Sequence, residues 1–368
     1  MSKLAVVIGD PTGIGPEVLA RALAAQPPDD DLLLVGDAQV WEQAQRIAGV
    51  TLPPRTATHP ARVTRDGVPF LDVLASDRTW KLGEMSPAAG RAAGTWMERA
   101  VGLALEGAVD GLVFGPLNKQ ALIRAGYPVR DEYEFCAKLA RVEEHDEMNV
   151  IPHPAAPESG RLLWVARASS HVPLRDVARS ITKEQVLRTI RLAHRVASSA
   201  GGSELRIGVA ALNPHAGEGG LIGDEEERGI TPAVVAAITE GINAMGPIPA
   251  DHIFRQARAG RFDVVVSMYH DQAQIATKLL GFEMGVSVGV GMPFVMVTPS
   301  HGTAFDIAGQ GGADPRPMAQ ALRIASRLAD SARQQRTAKQ PTGKSEEIRA
   351  APGCIWKPLG RCPGCCHV

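Results

Sequence analysis

The chain has 368 residues, 45% of them hydrophobic and 4% aromatic, with a formal net charge of −1. That length admits two domains of ordinary size, and balanced charge with few aromatics leaves no footprint for nucleic acid. No apolar run reaches the length of a membrane span and the opening MSKLAVVIGD lacks the parts of a signal peptide, so a cytoplasmic protein with no membrane partner is expected.

Leu4 to Ile8 reads as a short buried strand. It breaks at GDPTGIGPE (Gly9 to Glu17), after which Val18, Leu19, Ala22 and Leu23 take up helical spacing. A glycine loop between strand and helix can cradle a phosphate at the helix N-terminus, but this one is neither the P-loop pattern nor the dinucleotide fingerprint. A strand at Leu32 to Val35 is followed by a helix through Trp41 and Ile47, and Thr51 to Pro69 is proline-rich and reads as irregular. The helix expected from Pro87 to Leu105 carries Ala88, Ala89, Ala92 and Ala93, small residues suited to tight packing against a sheet or a partner subunit. Gly111 to Phe114 is another buried strand and ends in Gly115-Pro116-Leu117-Asn118-Lys119. Lys119 reads either as a cation in a cleft or as a helix lysine in solvent.

Asp131-Glu132-Tyr133-Glu134 opens a helix, where acidic side chains suit the helix dipole. A strand at Leu162 to Ala166 leads to Ser169-Ser170-His171-Val172-Pro173, and a long amphipathic helix starts at Thr182. A strand at Leu205 to Ala210 leads to Asn213-Pro214-His215, and the run from Phe262 to Val266 leads to Tyr269-His270-Asp271-Gln272. Lys278 follows a few residues on, and the apolar run Pro293 to Val297 delivers His301-Gly302-Thr303, Asp306 and the glycines 309, 311 and 312. Glycines this close together let a backbone bend sharply or approach a ligand. After Leu328 the chain turns polar, and residues 333–368 read as a disordered tail. Cys354, Cys362, Cys365 and Cys366 beside His367 resemble part of a metal knuckle, but no second cluster is there to close a zinc site.

Strands alternate with helices throughout, which argues an α/β fold with a mainly parallel sheet. His171, His215 and His270 each follow an apolar strand by a few residues. Ligands in open α/β sheets bind at the C-terminal ends of strands, so these three can meet on one edge. Three neutral imidazoles with an open fourth position suit a catalytic divalent metal, zinc above all. Taken singly, each histidine reads as readily as a satisfied core group.

GDPTGIGPE, GPLNK, SSHVPLRD, LNPHAGEGG, GPIPAD, YHDQ and HGTAFDIAGQG stand in this order over residues 3 to 330. In order and spacing they resemble the PdxA family of NAD-dependent 4-hydroxythreonine-4-phosphate dehydrogenases, and the last loop resembles that of isopropylmalate and isocitrate dehydrogenases. The resemblance implies a two-domain α/β/α subunit, with residues 1–128 plus 298–332 on the cofactor side and residues 129–297 on the metal, substrate and dimer side. It implies a homodimer with its active site at the interface. His171, His215 and His270 fall on the family's metal ligands, one of them donated by the partner subunit. The ion would be zinc, with magnesium, manganese or cobalt as alternatives. NAD would lie along His301, Gly302, Thr303, Asp306, Gly309 and Gly311. Lys119, Asp251 and Asp271 match motif residues suited to proton transfer or to support of the metal ligands. The implied reaction oxidises a secondary alcohol β to a carboxylate and then decarboxylates the ketone, the metal acidifying the hydroxyl and polarising the carbonyl.

The chain departs from the family at the substrate. Glu132 and Tyr133 replace a histidine and a threonine. Lys278 matches a substrate lysine, while Ser287 and Met296 stand for an asparagine and an arginine. Loss of an arginine fork removes the best bidentate phosphate partner, and an added carboxylate repels a dianion. Related terephthalate cis-dihydrodiol dehydrogenases have a serine and an aliphatic residue at the last two positions. A non-phosphorylated hydroxy acid is therefore the expected substrate, with 4-hydroxythreonine-4-phosphate or an acid-sugar phosphate as the alternative. An inactive binding protein of the same family and a metal-dependent hydrolase are the other classes to separate, by metal content and by NAD binding.

Overall fold

A computed structural model describes residues 1–201 and 204–339. The strands are β1 (Lys3–Val7), β2 (Asp31–Gly36), β3 (Pro54–Thr56), β4 (Ala61–Arg62), β5 (Val68–Asp72), β6 (Gly111–Phe114), β7 (Asp146–Pro152), β8 (Leu162–Arg167), β9 (Ile207–Ala210), β10 (Ala244–Ile248), β11 (Val264–Ser267), β12 (Val286–Val290) and β13 (Val295–Pro299). The helices are α1 (Gly15–Ala25), α2 (Ala38–Ala48), α3 (Pro87–Leu105), α4 (Lys119–Arg124), α5 (Glu132–Ala140), α6 (Leu174–Ser180), α7 (Lys183–Ser199), α8 (Thr231–Thr239), α9 (Ala250–Arg258), α10 (His270–Gly281) and α11 (Arg316–Lys339).

All strands join one sheet in the order β10-β9-β11-β8-β7-β12-β13-β6-β1-β2-β5-β3, with β4 beside β2. The strands of residues 1–128 together with β13 form one half, and β7 to β12 form the other. Inside each half, pairing is mostly parallel, and β1, β2, β6, β8, β9 and β11 bury residue after residue. Continuous burial means that both faces of these strands are covered, as in other α/β sheets. The expected α/β class is what the chain adopts.

The centre of the sheet differs from the expectation of a parallel sheet. β12 runs antiparallel to both β13 and β7, and β7 runs antiparallel to β8. Three reversals between β13 and β8 turn the second half of the sheet against the first. The C-terminal ends of β8 and β11 therefore point to one edge, and those of β6 and β13 to the other. Three further strands, β3, β4 and β5, lie in the stretch from Thr51 to Pro69 and just beyond it. They sit towards the sheet's margin, where proline is tolerated. The C-terminal helix continues to Lys339, so residues 333–339 are helical and not tail. The remainder of the expected tail and its four cysteines lie outside the described residues. Among the described residues no helix is long and apolar enough to cross a membrane.

Candidate active site

The strand reversal builds the floor of a cavity of about 270 Å³. Asn149 of β7, Ser287 of β12 and Thr298 of β13 are direct neighbours across three strands, so their side chains share one sheet face. All three line the cavity. Asn149 Nδ2 donates to Ser287 Oγ at 3.0 Å, and Ser287 Oγ lies 3.3 Å from Ser300 Oγ. Beneath them Arg167, fully buried at the end of β8, donates to Asn149 Oδ1 at 2.6 Å, to Ser170 Oγ at 2.9 Å and to Glu147. A buried guanidinium needs such a set of acceptors.

Two histidines form one wall. His171 follows β8, His270 opens α10, and their ring centroids are 5.6 Å apart. Two imidazoles bound to one tetrahedral zinc place their ring centres about 5 Å apart, from metal–nitrogen bonds of roughly 2 Å. Asp271 Oδ1 lies 2.7 Å from His270 Nδ1, and Asp131 Oδ2 lies 3.7 Å from His171 Nδ1. A carboxylate on Nδ1 directs Nε2 to a metal and raises its basicity. The pair therefore fits a shared divalent ion. Asp131 serves twice, because its other oxygen caps α5 by accepting from the Glu134 N–H at 2.8 Å. α10 then runs over the floor with Gln274 and Lys278 one and two turns beyond His270, and Gln274 Nε2 donates to Asn149 Oδ1 at 3.0 Å.

Opposite stand Lys119 and Glu132, each the first residue of a helix. Asn118 caps α4 through the Ala121 N–H at 2.8 Å, which places Lys119 at the cavity mouth. Lys119 Nζ is 3.6 Å from Glu132 Oε2. Burial lifts the Glu132 carboxyl above its ordinary value, and the ammonium of Lys119 partly offsets this. Next to it Tyr133 is buried with no completed hydrogen bond at its hydroxyl, and burial raises its pKa well above the ordinary value, with Glu147 and Glu132 adding to the rise. Its ring lies over Gly289, where a Cβ would stand 3.0 Å from Tyr133 Cδ1 and 3.1 Å from Met296 Sδ. Met296 is thus a fully buried core residue packed beside Tyr133 and does not line the cavity. Its expected place at the substrate is corrected.

His301 and Gly302 close the cavity behind β13. His301 Nδ1 is 3.1 Å from the Gly302 carbonyl, which can only accept, so Nδ1 carries the proton. Nε2 is then an acceptor, and it is buried without a partner. Burial holds the His301 pKa below its ordinary value. Beyond it the loop packs on the first glycine loop. The Ile14 N–H donates to the Thr303 carbonyl at 3.0 Å, the Gly309 N–H to Glu17 at 3.0 Å, and Arg21 Nη1 to the carbonyls of Gly311 and Ala313 at 2.9 and 2.7 Å. Gly302 and Asp306 remain exposed.

Not every expected site residue is here. Among the described residues no three His, Cys, Asp or Glu side chains stand together as a metal site. His215 is exposed on the loop after β9, and Asp251 is exposed in the first turn of α9. The expected meeting of three histidines on one edge of a single chain is therefore reduced to the pair 171 and 270. Conversely, Arg167, Glu147, Asn149, Gln274 and Asp131 escaped the sequence reading. Only Asp131, as a helix cap ahead of Glu132 and Tyr133, left a local signal.

The family model described as "Pyridoxal phosphate biosynthetic protein PdxA" matches residues 29–325. A 4-hydroxythreonine-4-phosphate dehydrogenase of Beijerinckia indica subsp. indica is 43% identical over 329 residues, 88% of this chain and 94% of its own. A D-threonate 4-phosphate dehydrogenase of Cupriavidus necator is 39% identical over 331 residues, 89% of this chain and 97% of its own. The solved structure of a 4-hydroxythreonine-4-phosphate dehydrogenase from Klebsiella pneumoniae aligns with a TM-score of 0.76 at 34% identity, covering 89% of this chain and 100% of that one. A terephthalate 1,2-cis-dihydrodiol dehydrogenase from Burkholderia xenovorans LB400 aligns with a TM-score of 0.62 at 27% identity, covering 88% and 98%.

Proposed function

The chain belongs to the PdxA family and is an oxidoreductase of the dehydrogenase type, and from that premise we propose that it oxidises a phosphorylated hydroxy acid with NAD. The alcohol lies β to a carboxylate, hydride passes to NAD, and carbon dioxide leaves the resulting keto acid. The relatives of 43% and 39% identity both carry names of 4-phosphate dehydrogenases, which supports a phosphorylated substrate over the non-phosphorylated one expected from Glu132 and Met296.

The observation that carries this reading is the make-up of the cavity. Its lining includes two cations, Lys119 and Lys278, and the hydroxyls of Ser287 and Ser300. Both arguments against phosphate weaken there. Glu132 is matched by Lys119 at 3.6 Å, so it brings no lone negative charge. Met296 is fully buried and outside the cavity lining, which weakens the case that its lack of charge costs the wall a donor. Lysine binds phosphate as a point charge where an arginine fork is missing.

His171 and His270 would hold the divalent ion from this chain, and exposed His215 would come from the second copy of a homodimer. Bound there, the ion would lower the pKa of the substrate hydroxyl and polarise the ketone. Asp271 would keep the His270 imidazole in the ligating tautomer, and the Asp131 carboxylate lies near His171. Lys119, with Glu132 beside it, would take and return the substrate proton. NAD would run along His301 to Gly311, with the bare acceptor at His301 Nε2 and the exposed Asp306 as its polar contacts.

The test is NADH production by the metal-loaded protein on 4-hydroxythreonine-4-phosphate, D-threonate 4-phosphate and terephthalate cis-dihydrodiol in parallel. Turnover of either phosphate with none of the diol is the expected result. Turnover of the diol alone would overturn the phosphate reading and restore the second one, which the 27% identical structure favours. No NADH from any of the three would send the search to other hydroxy acids, the acid-sugar phosphates among them.

A further inference from the structure

The loop after β9 has an unusual backbone. His215, Ala216, Gly217, Glu218, Gly219 and Gly220 all have positive φ, at 53°, 57°, 78°, 44°, 66° and 87°. Non-glycine residues pay to enter this region, and a run of them persists only where the surroundings over-determine it. Two neighbouring carboxylates anchor the segment that leads into the run, and one of them, that of Glu225, accepts through Oε2 from Asn213 Nδ2 at 2.7 Å. Glu226, buried at the start of a one-turn π-helix (Glu226–Ile230), sends its carboxylate back under the loop. Its Oε1 accepts from the backbone N–H of Leu212 at 2.8 Å and of Asn213 at 2.7 Å, and its Oε2 accepts from Asn213 Nδ2 at 2.9 Å. Gly217 lies against the same carboxylate, since a Cβ there would stand 2.9 Å from Glu226 Oε2. Ala211, one residue before the clamp, accepts from Gln272 Nε2 at 2.9 Å, which ties the loop to the turn that carries His270.

We propose that Glu226 is a positioning residue for His215. It locks the left-handed turn so that the exposed imidazole is presented in its ligating pose before any metal arrives. The buried carboxylate does this with charge-assisted hydrogen bonds to two successive backbone donors, stronger than neutral ones. The inference rests on the reading of His215 as a metal ligand, so its test includes a variant for that reading.

The experiment titrates zinc into the metal-stripped full chain against a chromophoric chelator and compares the parent with His215→Ala, Glu226→Gln and Gly217→Ala. Far-UV circular dichroism and thermal unfolding check each fold. Glu226→Gln keeps the shape but sets an amide donor against the Asn213 amide. Gly217→Ala sets a Cβ 2.9 Å from Glu226 Oε2 and 3.0 Å from the Gly223 carbonyl, and also strains the left-handed turn itself at φ 78°. The expected result is loss of one zinc per subunit in His215→Ala, and zinc affinity roughly tenfold weaker in both other variants, the scale of an outer-layer metal-site change. Their kcat should recover at high zinc. Parental zinc affinity in Glu226→Gln and Gly217→Ala, with loss in His215→Ala, overturns the positioning role while leaving His215 a ligand. Parental affinity in His215→Ala overturns the ligand reading itself. Should Glu226→Gln fail to fold, Glu226→Asp, which keeps the charge but shortens its reach to the Leu212 and Asn213 N–H groups, decides by the same loss of zinc affinity.

Discussion

At the scale of single residues, the site is governed by charges held in pairs. Glu132 is the informative case, because burial and Lys119 pull its carboxyl in opposite directions and burial wins. A carboxyl whose pKa is higher in the folded than in the unfolded state binds more protons when folded. It therefore favours folding at low pH and loses that contribution as pH rises through the folded value. Glu132→Gln should unfold at the same temperature as the parent or higher above pH 7, and the difference should shrink as pH falls towards 4. A lower melting temperature above pH 7 that recovers as pH falls towards 4 would show instead that the Lys119 pair outweighs burial. Asp271 makes a second prediction at this scale. With its oxygen 2.7 Å from His270 Nδ1, Asp271→Asn should weaken zinc binding about ten- to a hundredfold while leaving the fold intact, as losses of such carboxylates do. Isothermal titration of the apo protein would read it, and unchanged affinity would remove Asp271 from the metal's support.

At the scale of elements, the lesson lies in β7 and β12. Strands β1, β2, β6, β8, β9 and β11 announce themselves as continuous apolar runs, and the pattern of strand, loop and helix follows from them. β7 reads Asp-Glu-Met-Asn-Val-Ile-Pro and hides, because its face residues Glu147 and Asn149 are polar. β12 hides for a similar reason, since Ser287 and Gly289 interrupt its valines. These are the residues that floor the cavity, so the polarity that makes the site also disguises the strands that carry it. Missing them, the sequence pattern leaves out the sheet face, while β8, β9 and β11 are parallel neighbours whose ends share one edge, with His215 held away on its own loop. The motif residues His171, His270 and Lys119 were readable because each follows an apolar strand within a few residues, and Lys278 because it follows His270 along the same helix. The network beneath them was not, because pairing between distant strands leaves no local pattern. Arg167 holds that network together, bonding to Ser170, Asn149 and Glu147. Arg167→Ala would leave Glu147 without its cation and should cost roughly 3–5 kcal/mol of stability, the range for breaking a buried pair. Urea unfolding measures it, and a loss under about 1 kcal/mol would mean that water already screens the pair.

At the scale of the whole molecule, one chain supplies two facing imidazoles and displays the third on its surface. Val172, Leu174, Ile275 and Leu279 are exposed around the facing pair, and Leu221 and Ile222 are exposed beyond His215. Apolar side chains gathered beside a site that lacks a ligand suit burial against a second copy. In a dimer with two-fold symmetry each site would then draw His171 and His270 from one subunit and His215 from the other. This arrangement can be tested by mixing. His215→Ala and His270→Ala should each be inactive alone, because each homodimer lacks a ligand in both sites. Co-expressed in equal amounts, half the dimers would pair one variant with the other. Each such dimer holds one site with all three histidines and one with a single histidine, so about a quarter of parental activity should return. If all three ligands came from the same subunit, every site in the mixed dimer would still lack one, and activity would stay at zero. Separately tagged subunits, purified in tandem so that only mixed dimers remain, raise the expected value to about half and remove the homodimers from the count. Recovered activity would also fix the subunit boundary within the site, between the turn held by Glu226 and the helix that begins at His270.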